Sequence, residues 1–175
     1  MRTRAALSLA LCLAAGAVGA QEGQAGTAVP PACMDFAWPL LREQAWFAAP
    51  GLAEVASGAT VQADMPGAVL RLKPDAEVQY TVPPSRTPAP GSYGGGLRFP
   101  APVMAGIFQV TLSGEAWIDV SQDGETTKTP VAHTGARGCP TIRKSLRYQF
   151  GGSPVIIEIS GAKRDSIKIA IAPVE

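Results

Sequence analysis

The sequence predicts an all-β fold, an antiparallel β-sandwich or jelly roll of about eight strands with one short N-terminal helix. Apolar and polar residues alternate with period two from residue 68 onward, as half-buried strands require. Turn formers recur roughly every 8 to 12 residues, and no repeat of about 20 to 50 residues marks a propeller or solenoid.

The N-terminus comes first in the chain and has its own logic. Arg2 and Arg4, an apolar run over residues 5–15 and Ala17-Val18-Gly19-Ala20 make the charged, apolar and small-residue regions of a secretory signal, cleaved near Ala20. The apolar run is shorter than the roughly 20 residues a membrane-spanning helix needs, and no later run is longer, so no membrane span is expected. Cys12 follows Leu11 inside that run, which does not fit a lipid-attachment site. Removal of 20 of the 175 residues leaves 155, the common size for one domain. The expected organisation is signal 1–20, a flexible leader at 21–32 and one domain over 33–175. Two of 15 basic residues and none of 14 acidic ones leave with the signal. The mature net charge of −1 argues against a nucleic-acid binder, which would need a basic excess to neutralise phosphates.

Export also bears on the cysteines. Cys12 is lost with the signal, leaving Cys33 and Cys139, 106 positions apart, in a compartment where disulfides persist. A bridge between them closes most of the domain and contributes about 4 to 5 kcal/mol in chain-entropy terms. A redox pair or two metal thiolates are the competing readings, and neither has the CxxC spacing such sites use.

Along the mature chain, Pro39 is placed for a first helical turn and Pro50-Gly51 for the end of that helix. Its aromatic residues serve either as a ligand shelf or as a plug at one end of a sandwich. Strands are expected at Ala68, Leu70 and Leu72 and at Val78, Tyr80 and Val82, each alternating with polar neighbours. Residues 83–96, rich in Pro and Gly, read as a long irregular loop and one candidate binding edge. The glycines at its end are not a phosphate loop, since no GK[ST] follows. Further strands follow at Phe108, Val110 and Leu112 and at Ala116, Ile118 and Val120. Asp123-Gly124 reads as a hairpin turn from which the chain returns toward His133. The row Ile142, Lys144, Leu146, Tyr148 and Phe150 faces opposite Arg143, Ser145, Arg147 and Gln149. After Gly151-Gly152 come Val155, Ile157 and Ile159, a turn near Gly161, and Ile167, Ile169 and Ile171.

Candidate chemistry concentrates between two of these strands. His133, Arg137, Arg143, Lys144 and Arg147 gather positive charge, while Glu115, Asp119, Asp123 and Glu125 gather negative charge on the preceding segment. One reading pairs Arg143 or Arg147 with Asp119 across neighbouring strands, for roughly 0.2 to 1 kcal/mol each. The sharper reading makes Arg137 and Arg143 a fork for a carboxylate, phosphate or sulfated group. Trp117, pointing opposite Ile118, either stacks on a ligand or packs the second face of its sheet. His133 is the single histidine; a serine triad would have to use it, and there is no GxSxG elbow. One histidine falls short of zinc or non-haem iron ligand sets. Calcium on Asp119, Asp123 and Glu125 would use hard oxygen ligands, without the EF-hand pattern. Acidic pairs of the glycosidase kind are ordinary on sheet surfaces.

Phe36-Ala37-Trp38-Pro39-Leu40, Trp117-Ile118-Asp119-Val120 with Gln122-Asp123-Gly124, and His133-Thr134-Gly135-Ala136-Arg137 followed by Cys139-Pro140 and Ile142-Arg143-Lys144-Ser145 resemble a family of small exported proteobacterial proteins. The resemblance spans nearly the whole mature chain. Some members of that family carry the label of homogentisate dioxygenase. That enzyme holds ferrous iron with two histidines and a glutamate, so no catalytic residue carries over to a chain offering only His133. A looser similarity, of residues 106–113 and the Asp-Gly turn, is to prepeptidase C-terminal β-sandwich modules, which implies an accessory or binding role.

The functional expectation is a periplasmic or secreted, non-catalytic binding or accessory protein. Its ligand-binding candidates are His133, Arg137, Arg143, Lys144, Arg147, Trp117 and Asp119, and its partner is a small anionic ligand or an envelope protein. No cofactor, metal, nucleic acid or catalytic residue is expected. A metal- or His133-dependent enzyme and an envelope structural or stress protein are the alternatives.

Overall fold

The computed structural model describes residues 29–174, so the expected signal, most of the expected leader and Glu175 lie outside the described residues. What remains of the leader ends in a 3-10 turn at Pro31–Cys33. Ten strands then form two sheets: β1 Ala53–Val55, β2 Ala68–Arg71, β3 Lys73–Pro74, β4 Tyr93–Phe99, β5 Gly106–Leu112, β6 Trp117–Ser121, β7 Ala132–Gly135, β8 Lys144–Phe150, β9 Val155–Ala162 and β10 Ser166–Pro173. The larger sheet runs β1-β2-β10-β5-β8-β7 and the smaller β3-β4-β9-β6. Among the described strands, only the β1 and β2 pair is parallel.

Period-two burial drives the two sheets together. Val110 and Leu112 on β5, Ile169 on β10 and Phe150 on β8 face Ile118 and Val120 on β6 and Ile157 and Ile159 on β9, all within one core. Full burial of each such side chain is worth about 1.5 to 3 kcal/mol. Phe99, Phe108, Phe150 and Tyr148 form a chain of edge and stacked ring contacts through it.

The second face of the larger sheet is also covered. Gln109, Thr111 and Ser145 alternate with core residues, yet they are buried, and Thr111 shares a hydrogen bond of 2.9 Å with Ser145. The covering is the N-terminal segment with helix α1, Leu41–Ala48. Leu40 and Phe47 pack there with Ala170, Ile142 and the Cys33–Cys139 disulfide. The helix therefore lies on a sheet face and does not plug an end. Small outward residues such as Ala170 admit it, and buried Glu43 accepts a hydrogen bond from Gln109 Nε2 at 2.8 Å.

Three expected features differ. Val78, Tyr80 and Val82 keep their alternating burial, but they belong to an irregular strap crossing the outer face of the smaller sheet. The backbone N–H groups of Thr81 and Val82 donate to the Glu158 carboxylate at 2.6 and 3.2 Å, so a side chain replaces the neighbouring strand. The expected loop at 83–96 ends early, because residues 93–96 are the start of β4. A Cβ on Gly94 would collide with Tyr80 and Asp75, and one on Gly96 would lie 2.9 Å from the Ile157 carbonyl oxygen. These glycines permit close approach inside a sheet instead of breaking it. Finally, Asp123-Gly124 is a turn but not a hairpin. Gly124 has φ of +76° while no described residue other than glycine has positive φ, so the two-residue type I′ geometry is not formed. β6 pairs with β9 and β7 with β8, and the chain crosses between sheets.

Candidate functional site

The larger sheet is two strands wider, and at its β7 end its inner face runs past β6, the edge of the smaller sheet. A cleft of about 550 Å³ lies in this step. Ile118, Leu146 and Tyr148 form its apolar floor. The connector at 127–130 closes one side, and Trp117, His133, Arg143 and Lys144 stand around it. His133 and Gly135 lie opposite Leu146 and Lys144 in the β7 and β8 register, which puts them on the inner face of the overhang.

The exposed edge of β6 explains part of this arrangement. An edge strand presents unpaired carbonyl groups, and the three at Ala116, Ile118 and Val120 are each met. Lys144 Nζ donates to Ala116, Tyr148 Oη to Ile118 at 3.5 Å and the Lys128 amide to Val120 at 2.7 Å. Lys144 thus caps an edge while occupying the last position of the core-facing row of β8. Burial lowers its pKa from the ordinary lysine value, and the neighbouring charges of Arg143 and Arg86 add to this against an opposing effect of Glu115. Burial likewise raises the Tyr148 hydroxyl well above the usual tyrosine range, with a smaller contribution from the Asp119 charge.

The strap brings further groups to the same place. Asp119 and Glu158 are direct cross-strand partners on the outer face of the smaller sheet, a placement that repels like charges. Each is offset by donors from the strap. Glu158 takes two amides, and Asp119 accepts from the Ser85 amide at 3.1 Å and the Ser85 hydroxyl at 2.5 Å. Trp117 Nε1 donates to Ser85 Oγ at 2.6 Å, while Arg86 and Lys144 each lie 5.7 Å from the Trp117 ring centre. Beyond Trp117 and Lys144, which line both, lies a second, outer cleft of about 300 Å³ with Arg86, Glu115 and Ser160 in its walls.

Of the seven candidates, Trp117, Asp119, His133, Arg143 and Lys144 meet at the first cleft. Arg137 is exposed on the loop before Cys139 and lines neither cleft. The Arg137 and Arg143 fork is not formed, since Arg143 is held by Glu115 at 2.5 Å. Arg147 points to the other face, 4.0 Å above the Trp38 ring. The expected pairing of Arg143 or Arg147 with Asp119 fails because Asp119 sits on the other sheet and is bound by Ser85. Trp117 remains 40% exposed, so it is not buried packing for the second face. The expected loop at 83–96 does reach the site, through Ser85 and Arg86.

Asp123 is occupied by its own turn. It accepts from Ser121 Oγ, from the amides of Glu125 and Thr126 and from Thr126 Oγ1, at 2.6 to 2.9 Å. Those bonds hold its carboxyl far below the usual carboxylate range, the Thr126 hydroxyl contributing most. Among the described residues no group of three His, Cys, Asp or Glu side chains is arranged to hold a metal ion. Ser85, Asp119 and His133 line one cleft. However, the Ser85 hydroxyl is held by Asp119 and Trp117, and no nucleophile-to-histidine hydrogen bond is formed among the described residues.

Sequence reasoning missed Lys128 and Ser160, which carry no local pattern. It saw Tyr148 and Leu146 only as core. The one legible hint was a lysine on an otherwise apolar row. Comparison of the chain with protein families, with curated proteins and with solved structures finds no match.

Proposed function

We propose that this chain is an exported, non-catalytic binding protein that holds a small amphipathic anion in the cleft between β6 and the overhang of β7 and β8. One observation carries the reading. The core-facing row of β8 runs through Phe150, Tyr148 and Leu146 and ends on Lys144, so an apolar floor terminates in a half-buried cation with no ion-pair partner among the described residues. An apolar body and an anionic group find complementary surfaces at a fixed spacing there. The cleft volume of about 550 Å³ falls within the roughly 300 to 1,000 Å³ typical of small-molecule sites. Lys128 and Arg86 add positive charge nearby, Arg143 and Glu115 offset each other at 2.5 Å, and Asp119 is engaged by Ser85. Export is supported by the signal-like N-terminus and by a disulfide closing 106 positions, a feature of oxidising compartments.

Isothermal titration with decanoate tests this. Saturable one-to-one binding is expected, lost on Leu146→Trp, which fills the cleft, and weakened at least about tenfold by Lys144→Met. Binding that ignores both substitutions, or no saturable binding, rejects the reading.

A further inference from the structure

The outer cleft holds a feature that nothing in the fold explains. Ser160, on β9 directly opposite Trp117, is 2% exposed. Its hydroxyl has no hydrogen-bond partner among the described residues, and the residue lines the outer cleft. A buried hydroxyl without a partner forfeits the hydrogen bonds it made to water, and native structures seldom leave one so. The hydroxyl oxygen is itself buried, in a residue that shares the cleft wall with Arg86 and Ala89 of the strap.

The two clefts share a boundary. Trp117 and Lys144 line both, Arg143 lines the inner cleft and Arg86 the outer. Negative charge placed at that boundary faces Lys144 and Arg86, each 5.7 Å from the Trp117 ring centre, while Arg143 is paired with Glu115, and desolvation strengthens such attraction. A carboxylate, sulfate or phosphate monoester ends a chain, so it fills the junction and leaves the outer cleft and Ser160 unused. A phosphodiester carries its single charge between two substituents.

Resting on the binding function proposed above, we infer that the ligand is a phosphodiester straddling the Trp117 and Lys144 junction. Its apolar arm lies over Ile118, Leu146 and Tyr148. Its other arm is small and hydroxylated, and shares a hydrogen bond with Ser160 in the outer cleft, where Glu115 provides a further acceptor. A single-chain glycerophosphate ester has this chemistry.

Titration of the oxidised mature protein with two monomeric probes of equal charge, dodecyl methyl phosphate and dodecyl glyceryl phosphate, isolates the outer arm. The glyceryl ester is expected to bind about tenfold more tightly, as for one buried hydroxyl gaining its partner. Ser160→Ala abolishes that preference and leaves the methyl ester unchanged. Because Ser160 Oγ bonds nothing among the described residues, the variant keeps at least the native Tm. Ala89→Trp, which fills the outer cleft, abolishes the preference by a separate route. Equal affinity of the two esters for the native protein, or a preference that survives Ser160→Ala, overturns the inference. If decanoate binds and neither diester does, the internal anion is rejected while the inner cleft stands. If no amphipathic anion binds, both fall together.

Discussion

Replacing Glu158 with alanine perturbs the strap that carries Ser85 and Arg86, and its cost can be worked from the contacts. The buried carboxylate accepts the Thr81 amide at 2.6 Å and the Val82 amide at 3.2 Å. Hydrogen bonds to a charged acceptor are worth about 1.5 to 3 kcal/mol each. Thr81 is exposed, so water can replace its lost partner, whereas Val82 is buried at 5% exposure and its amide is stranded. Removing one of two opposed carboxylates also relieves about 0.2 to 1 kcal/mol of repulsion with Asp119. The net loss is about 2 to 4 kcal/mol, a fall in Tm of about 5 to 15 °C for a domain of this size. Urea unfolding followed by tryptophan fluorescence measures it, and trypsin cleavage after Arg86 should accelerate as the strap detaches. Glu158→Gln retains one acceptor oxygen and is expected to lose less. A Glu158→Ala protein within about 0.5 kcal/mol of native, with unchanged cleavage, would refute the claim that side-chain carboxylates replace the missing strand pairing.

Four further outcomes follow from the structure. Gly94→Ala drives a Cβ into Tyr80, Asp75 and the Ile159 carbonyl and should destabilise by roughly 2 to 4 kcal/mol in urea unfolding. Gly152→Ala, with open space around it, should cost less than about 1 kcal/mol. Cys139→Ser removes the bridge and is expected to lower stability by about 4 to 5 kcal/mol, the same fall that reductant gives to the native protein. The Tyr148 hydroxyl is raised by burial, so the folded state keeps its proton at a pH where the unfolded chain, ionising near about 10, has released it. Its contribution is therefore complete below about pH 10 and declines as pH rises beyond, and Tyr148→Phe should flatten that alkaline slope in the urea midpoint.

Much of the fold could be read locally because burial imposes a period on a single strand. The inward rows at Phe108, Val110 and Leu112, at Ile118 and Val120, and at Leu146, Tyr148 and Phe150 are those in the core, Lys144 sits on its row as the alternation requires, and Cys33 bridges Cys139. Val78, Tyr80 and Val82 show the limit. Their burial alternates as in a strand, but alternation reports which side faces protein and is silent on what accepts the backbone hydrogen bonds.

Partners across a sheet were beyond local pattern, and the site depends on them. Glycines at 94–96 read as breakers until the neighbours that demand their smallness are seen. Asp123-Gly124 reads as a hairpin, though the next strand joins the other sheet, which is why Asp119 meets Ser85 and Arg147 meets Trp38. By itself the amino-acid order determined the β class, the inward rows, the cysteine pair and most of the charged residues at the cleft. Only the tertiary structure decided which sheet each strand joined, and with it the step between the sheets and the stranded hydroxyl of Ser160. Periodicity is a property of one strand, whereas a cleft is made by the relative width and offset of two sheets.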